Sequence, residues 1–184
     1  MPPLPRHRQP GDGWVECACG QRHWGLFGAA GLLLAGHDPR ASGPSDAPEG
    51  ARATHVVLQH RATWSHHGGT WGIPGGARAP HESAVDAALR ESGEEAGIAP
   101  ASVRVLETSV LDHGTWSYTT VLAEVAPGAR VDPRPTDAES LDVRWVALDD
   151  VARLPLLPAF GAAWPVLRRR LVGTPRPDGH RARD

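Results

Sequence analysis

Gly75-Gly-Ala-Arg-Ala-Pro-His-Glu-Ser-Ala-Val-Asp-Ala-Ala-Leu-Arg-Glu-Ser-Gly-Glu-Glu-Ala-Gly-Ile98 is the most informative stretch of the chain. Two glycines and a short loop lead into a segment that reads as a helix from about Ser83 to Ala96. Ser83 with Asp86 three residues later makes a capping-box-like start. Gly97 is the residue type expected just past a helix end. At about 100° per residue, Val85, Ala88, Leu89, Ser92 and Ala96 share one stripe, predicted to face the core. Glu91, Glu94 and Glu95 share a different face, with Arg90 bordering them.

That face works against the helix that carries it. Each like-charge pair one turn apart costs about 0.2–0.5 kcal/mol on an exposed helix. The C-terminal dipole disfavours anions at Glu94 and Glu95. Gly93 in the interior costs about 1 kcal/mol more than Ala. A compensating cation resolves the conflict, and hard carboxylate oxygens suit Mg²⁺, with Mn²⁺ as an alternative. Taken alone, the three glutamates also fit a solvated acidic face.

On either side, a glycine-spaced apolar run from Trp24 to Ala35 and Thr54–His60 read as strands. Val103–Leu111 and Trp116–Val125 read as an antiparallel pair joined at Asp112-His-Gly-Thr115, and Leu141–Ala147 as a last strand. A short helical turn over Leu148–Leu154 and a terminal helix over Pro158–Leu171 follow. The polar segment His37–Arg52 reads as a loop. Strands with one sharply marked helix and a second terminal one place the chain in the α+β or layered α/β class.

The chain has 184 residues, 40% of them hydrophobic, which suits one domain with a full core. All 19 basic residues are arginine, against 21 acidic ones, for a net charge of -2. That balance argues against a general nucleic-acid or membrane binder, while allowing a local Arg cluster for a small anion. No apolar run reaches membrane-span length, and Met1-Pro-Pro-Leu-Pro-Arg shows no secretory apolar region. Cys17 and Cys19 are too close to bridge each other comfortably. A cytoplasmic location is therefore expected.

From Gly76 to Ile98 the sequence fits G-x5-E-x7-R-E-U-x-E-E-x-G-U, where U is apolar, at eight of nine defined positions. Gly76, Glu82, Arg90, Glu91, Glu94, Glu95, Gly97 and Ile98 match. Ser92 replaces the first apolar residue, and its hydroxyl is expected to bond back to the Ala88 carbonyl. This segment resembles the box of the Nudix hydrolases. The resemblance implies an α/β/α sandwich around a central mixed β-sheet, spanning about residues 25–172. Residues 1–24 would be a partly disordered extension and 173–184 a disordered tail.

The resemblance also implies Mg²⁺-dependent hydrolysis of the pyrophosphate bond of a nucleoside diphosphate linked to another moiety. MutT-like nucleoside triphosphate substrates come first, then ADP-ribose or nucleotide sugars. Glu91, Glu94 and Glu95, with the Gly75 or Gly76 carbonyl, would hold the metal. Arg90 would orient Glu91, and Glu82 and Gly97 would be structural. The general base would be Glu91 or a loop carboxylate, for which Glu139 is the candidate. A small-molecule nucleotide is the implied partner, with a homodimer among the assemblies open to the chain. The contrasting reading is a domain that senses a nucleotide without hydrolysing it. The retained carboxylates weigh against it.

Apart from the defined positions of the box, Arg61 and Arg78 suit bidentate phosphate contacts. Trp64, Trp71 and Trp116 lie at loop or strand ends where a ring could stack on a nucleobase. Trp71 and Trp116 are taken as substrate-binding candidates. His60, His66, His67 and His113 are expected at the site mouth or in solvent. Cys17, Cys19 and His23 offer three zinc ligands at a spacing unlike the usual C-x₂₋₄-C, with no fourth evident, so no closed zinc site is expected.

Overall fold

A computed structural model of the chain describes residues 9–38 and 52–173. Of the expected tail over 173–184, Gly173 is the last residue of the terminal helix, and 174–184, the first eight residues and most of the polar loop over 37–52 lie outside the described residues.

The elements in order are β1 (Trp14–Glu16), β2 (Arg22–Trp24), β3 (Ala29–Gly36), β4 (His55–Arg61), β5 (Trp71–Gly72), β6 (Gly75–Ala77), α1 (Ala84–Ala96), β7 (Val103–Asp112), β8 (Ser117–Val125), β9 (Ser140–Ala147) and α2 (Pro158–Gly173), with short 3-10 turns at Pro100–Ser102 and Val151–Arg153. β1 and β2 form a separate two-stranded hairpin. The other strands make one mixed sheet in the order β5-β4-β3-β8-β7, with β6 also on β3 and β9 on β4. The β3–β8 pairing is parallel and the remaining pairings are antiparallel.

β3 is buried along its whole length and organises the core. Successive side chains of a strand face opposite ways. Leu32 and Leu34 therefore pack with Ala87, Ala88 and Ala96 of α1, together with Val57, Val121 and Trp145. Leu33 and Ala35 pack with Phe160, Trp164 and Leu167 of α2, together with Val56, Leu58 and Leu122. One helix on each face of a mixed sheet is the α/β/α sandwich expected. Such a doubly covered strand reads as a near-continuous apolar run, which is how this one appears.

The helix ends follow local chemistry. Ser83 Oγ accepts from the Asp86 amide at 3.0 Å. Gly97 adopts φ 67°, where glycine carries no steric cost, and its amide donates to the Gly93 carbonyl. Ser92 is fully buried, and its hydroxyl donates to the Leu89 carbonyl at 3.0 Å rather than to that of Ala88.

Within the extension, the β1–β2 hairpin occupies residues 14–24. Trp14 meets Trp24 edge-on at 5.3 Å within the hairpin, and meets His66 of the β4–β5 loop at 5.1 Å. Cys17 packs with Ala29 and Trp116. The hairpin thus leans on the sheet and on two of its loops.

Candidate functional site

The Gly-Gly entry to the box is strand β6, paired to the middle of the sheet through Ala30↔Gly76 and Gly31↔Gly75. α1 crosses β6 so that Glu91 and Glu95 face it and are buried, at 6% and 2% exposure. Glycine is required there on steric grounds. A Cβ on Gly76 would lie 2.6 Å from the Glu91 carboxyl carbon, and one on Gly75 would lie 2.4 Å from the Ala30 carbonyl oxygen. The Gly75 amide donates to Glu95 Oε2 at 2.9 Å. Glu94, one turn beyond Arg90, stands at the exposed rim.

Arg90 ties this face to the loop before the helix. Its Nε and Nη2 donate to the two oxygens of Glu82 at 2.8 and 3.0 Å. Nη1 donates to Glu91 Oε1 at 2.7 Å and lies 3.7 Å from Glu94 Oε1. Nη2 also donates to the Ala77 carbonyl. Glu82 in turn accepts from the Ala79 amide at 2.8 Å. The Arg90 guanidinium beside Glu82 holds that carboxyl below its ordinary range, and Glu82 and Glu91 together hold Arg90 firmly protonated.

The negative field of the glutamates reaches β8. Burial first, then Glu95 and Glu91, push the Tyr118 phenol well above its ordinary value, while Arg61 opposes them. The hydroxyl therefore stays protonated, and it lies against Gly31, where a Cβ would fall 2.2 Å away. Arg61 is thus in electrostatic range of the same phenol as the two buried glutamates.

A second layer comes from the chain before β9. The Thr136 hydroxyl donates to the Glu94 carbonyl at 2.5 Å, and the Thr136 and Arg134 amides donate to the Glu95 and Ala96 carbonyls. These bonds satisfy the last-turn carbonyls that a helix leaves open. Glu139 follows, half-buried, with its carbonyl accepting from the Ala62 amide at 2.8 Å and its amide donating to Asp137. The Glu139 segment and the β4–β5 loop are therefore tied together.

The other candidates are distributed differently from expectation. Arg78 donates to the Glu82 carbonyl at 2.7 and 3.2 Å and so braces the loop. Trp71 is 6% exposed, stacked on His60 at 4.7 Å and covered by the Arg144 guanidinium. Trp116 is buried, stacked on His23 at 4.1 Å, with Nε1 donating to the Trp24 carbonyl. Neither indole presents a free face for a base, because strand ends that look peripheral in sequence are roofed by neighbouring segments. Trp64, in the β4–β5 loop, is the exposed one at 66%.

The four histidines do not gather either. His60 lies under Trp71, His66 and His67 contact each other in the β4–β5 loop, and His113 contacts His23. That last contact alters the cysteine segment: Cys17, Cys19, His23 and His113 bring their donor atoms within 4.8 Å of one another. The fourth member was hidden because it lies 90 residues from His23 in sequence. Burial and His113 lower the His23 pKa, and backbone amides, chiefly that of Cys19, lower that of Cys17.

The donor set on α1 fits a hard divalent cation. Two of the three carboxylates are buried on one turn beside the glycines of β6, with Arg90 bonded to Glu91 and 3.7 Å from Glu94. Burying carboxylates without enough positive charge is costly.

The model of the NUDIX domain matches residues 47–169. The chain is 52% identical over 171 residues to a nucleoside triphosphate pyrophosphatase/Nudix hydrolase fusion protein of Bifidobacterium longum, covering 93% of this chain and 34% of that protein. It is 47% identical to a putative 8-oxo-dGTP diphosphatase 3 of Mycobacterium tuberculosis, covering 88% of this chain and 70% of that protein. The chain thus spans about a third of the first relative. The crystal structure of RenU, a Nudix hydrolase of M. smegmatis, aligns with a TM-score of 0.74 at 42% identity, over 92% of this chain and all of that one. With the box seated on the sheet of such a sandwich, the chain belongs to the Nudix hydrolase family.

Proposed function

We propose that this chain hydrolyses the pyrophosphate bond of a nucleoside diphosphate linked to another moiety, with divalent metal bound at Glu91, Glu94, Glu95 and the Gly75–Gly76 backbone. The observation that carries the proposal is the burial of Glu91 and Glu95 against glycines that leave no side chain in the way. Bound there, Mg²⁺ supplies charge neutralisation for the phosphoryl oxygens and lowers the pKa of a bound water.

The chain's own residues position and neutralise, which is most of what phosphoryl transfer needs. Arg90, donating to Glu91 Oε1 at 2.7 Å, holds that carboxylate in one orientation. Water attacks phosphorus, the bridging P–O bond breaks, and a carboxylate takes the water's proton. Glu91 or Glu139 fills that role, and the Gln variant with the larger loss of kcat identifies it. Arg61, whose charge acts on the same Tyr118 phenol as Glu95 and Glu91, is the proposed contact for phosphate oxygens. Trp64 offers an exposed ring to the base on the loop whose Ala62 amide is bonded to the Glu139 segment.

Nucleoside triphosphates are the first substrate class, supported by the name of the M. tuberculosis relative. ADP-ribose and nucleotide sugars are second. The test is a Mg²⁺-dependent hydrolysis screen across these classes, with Glu94→Gln and Glu95→Gln as controls. Turnover lost in both variants is expected. Tight nucleotide binding without turnover in the wild type would instead identify a sensor.

A further inference from the structure

We propose that Cys17, Cys19, His23 and His113 together bind one Zn²⁺ ion as a closed structural site, separate from the glutamate cluster. Two thiolates and two imidazoles are a complete zinc donor set, and their charges cancel that of the ion.

Two turns assemble the site. In the first, the Gly20 amide donates to the Cys17 carbonyl and the Cys17 amide to the Gln21 carbonyl, with Gly20 at φ 81°. This tight reversal brings the two sulfurs and His23 of the returning strand to one side, so a one-residue spacing suffices. The second turn joins β7 to β8, where the His113 amide donates to the Trp116 carbonyl and Gly114 adopts φ 79°. His113 closes the set from there.

The distances favour an ion over a hydrogen-bonded cluster. Cys19 Sγ and His113 Nδ1 each lie 3.1 Å from the same atom, His23 Nε2. An imidazole nitrogen has one lone pair or one hydrogen, so it serves one such partner well and the other poorly. A shared cation satisfies all four donors. Zn–S and Zn–N bonds of about 2.3 and 2.1 Å place tetrahedral ligands about 3.3–3.8 Å apart, and the four donor atoms already lie within 4.8 Å of one another, so small side-chain adjustments suffice to close the site. Outer contacts are also present. The Thr115 hydroxyl donates to Cys17 Sγ at 3.6 Å, and the Trp116 indole stacks on His23. Such partners orient metal ligands.

The ion would fasten the β1–β2 hairpin to the β7–β8 turn. Because Trp14 of that hairpin touches His66, it would also steady the β4–β5 loop. The experiment uses the full reduced chain, with metal content read by mass spectrometry and Co²⁺ as the spectroscopic probe. One zinc per chain is expected. Co²⁺ should give strong tetrahedral d–d bands and a thiolate charge-transfer band that zinc abolishes. His113→Ala and Cys19→Ser should each weaken zinc binding at least about tenfold, whereas Glu95→Gln should leave the thiolate band intact. A wild-type chain without zinc and without a thiolate–Co²⁺ band overturns the proposal. So does a folded His113→Ala protein with wild-type zinc affinity and spectrum.

Discussion

Arg90 of α1 and Glu82, eight residues earlier in the loop before the helix, meet through two parallel hydrogen bonds of 2.8 and 3.0 Å. The same guanidinium reaches Glu91 at 2.7 Å. One side chain therefore shapes the loop and aims a buried carboxylate. Planar two-point pairing of this kind is specific to arginine.

Arg90→Lys should accordingly behave as a radical change. Losing charge-assisted bonds at a partly buried position costs about 1.5–3 kcal/mol each where they are not replaced. Urea denaturation should show reduced stability, and kcat should fall along with it because Glu91 is no longer held. Glu82→Gln should destabilise less and leave the Arg90–Glu91 bond in place.

Stability should also depend on Glu82 at low pH. Arg90 holds the folded-state carboxyl below its ordinary value near 4.5. As pH falls, the unfolded chain takes up this proton first. The contribution is thus complete above the ordinary value and is lost as pH drops towards the folded one. Urea midpoints measured from pH 6 downward should fall more steeply for the wild type than for Glu82→Gln.

Gly76→Ala should damage the site more than the fold. Its Cβ would meet the Glu91 carboxylate, a side chain that can be displaced, whereas that of Gly75→Ala would meet the Ala30 backbone, which cannot. Shifting a positioned group by about 1 Å can cost about a hundredfold in rate. Gly76→Ala should retain its circular dichroism and lose kcat on that scale. Gly75→Ala should be destabilised by about 1–3 kcal/mol from overpacking.

The box was legible because its information is local. Ser83, Asp86 and Gly97 mark the helix ends by their own hydrogen bonding and backbone preferences, and charges at fixed spacing declare one face. β3 was legible for a similar reason, since a doubly covered strand is a plain apolar run. The β1–β2 hairpin was not, because its strands are three residues long and show no period. Trp71 and Trp116 were assigned to the substrate because exposure depends on what packs over a ring, here His60, Arg144 and His23. His113 joins Cys17 only through the β7–β8 turn, a relationship that no spacing within the cysteine segment encodes.

Trp64→Ala tests the proposed base platform. Stacking on an aromatic ring contributes about 1–3 kcal/mol. KM for a nucleoside triphosphate should rise about five- to a hundredfold by that measure, with kcat little changed. Equal KM values for the two proteins would remove Trp64 from the site.

Manganese binding, followed by electron paramagnetic resonance, reads the glutamate cluster directly. In the presence of a non-hydrolysable nucleotide, the wild-type chain should quench the free Mn²⁺ signal stoichiometrically, and Glu91→Gln and Glu95→Gln should restore it. A signal that stays free in the wild type, or stays quenched in both variants, would contradict a metal centre on this turn.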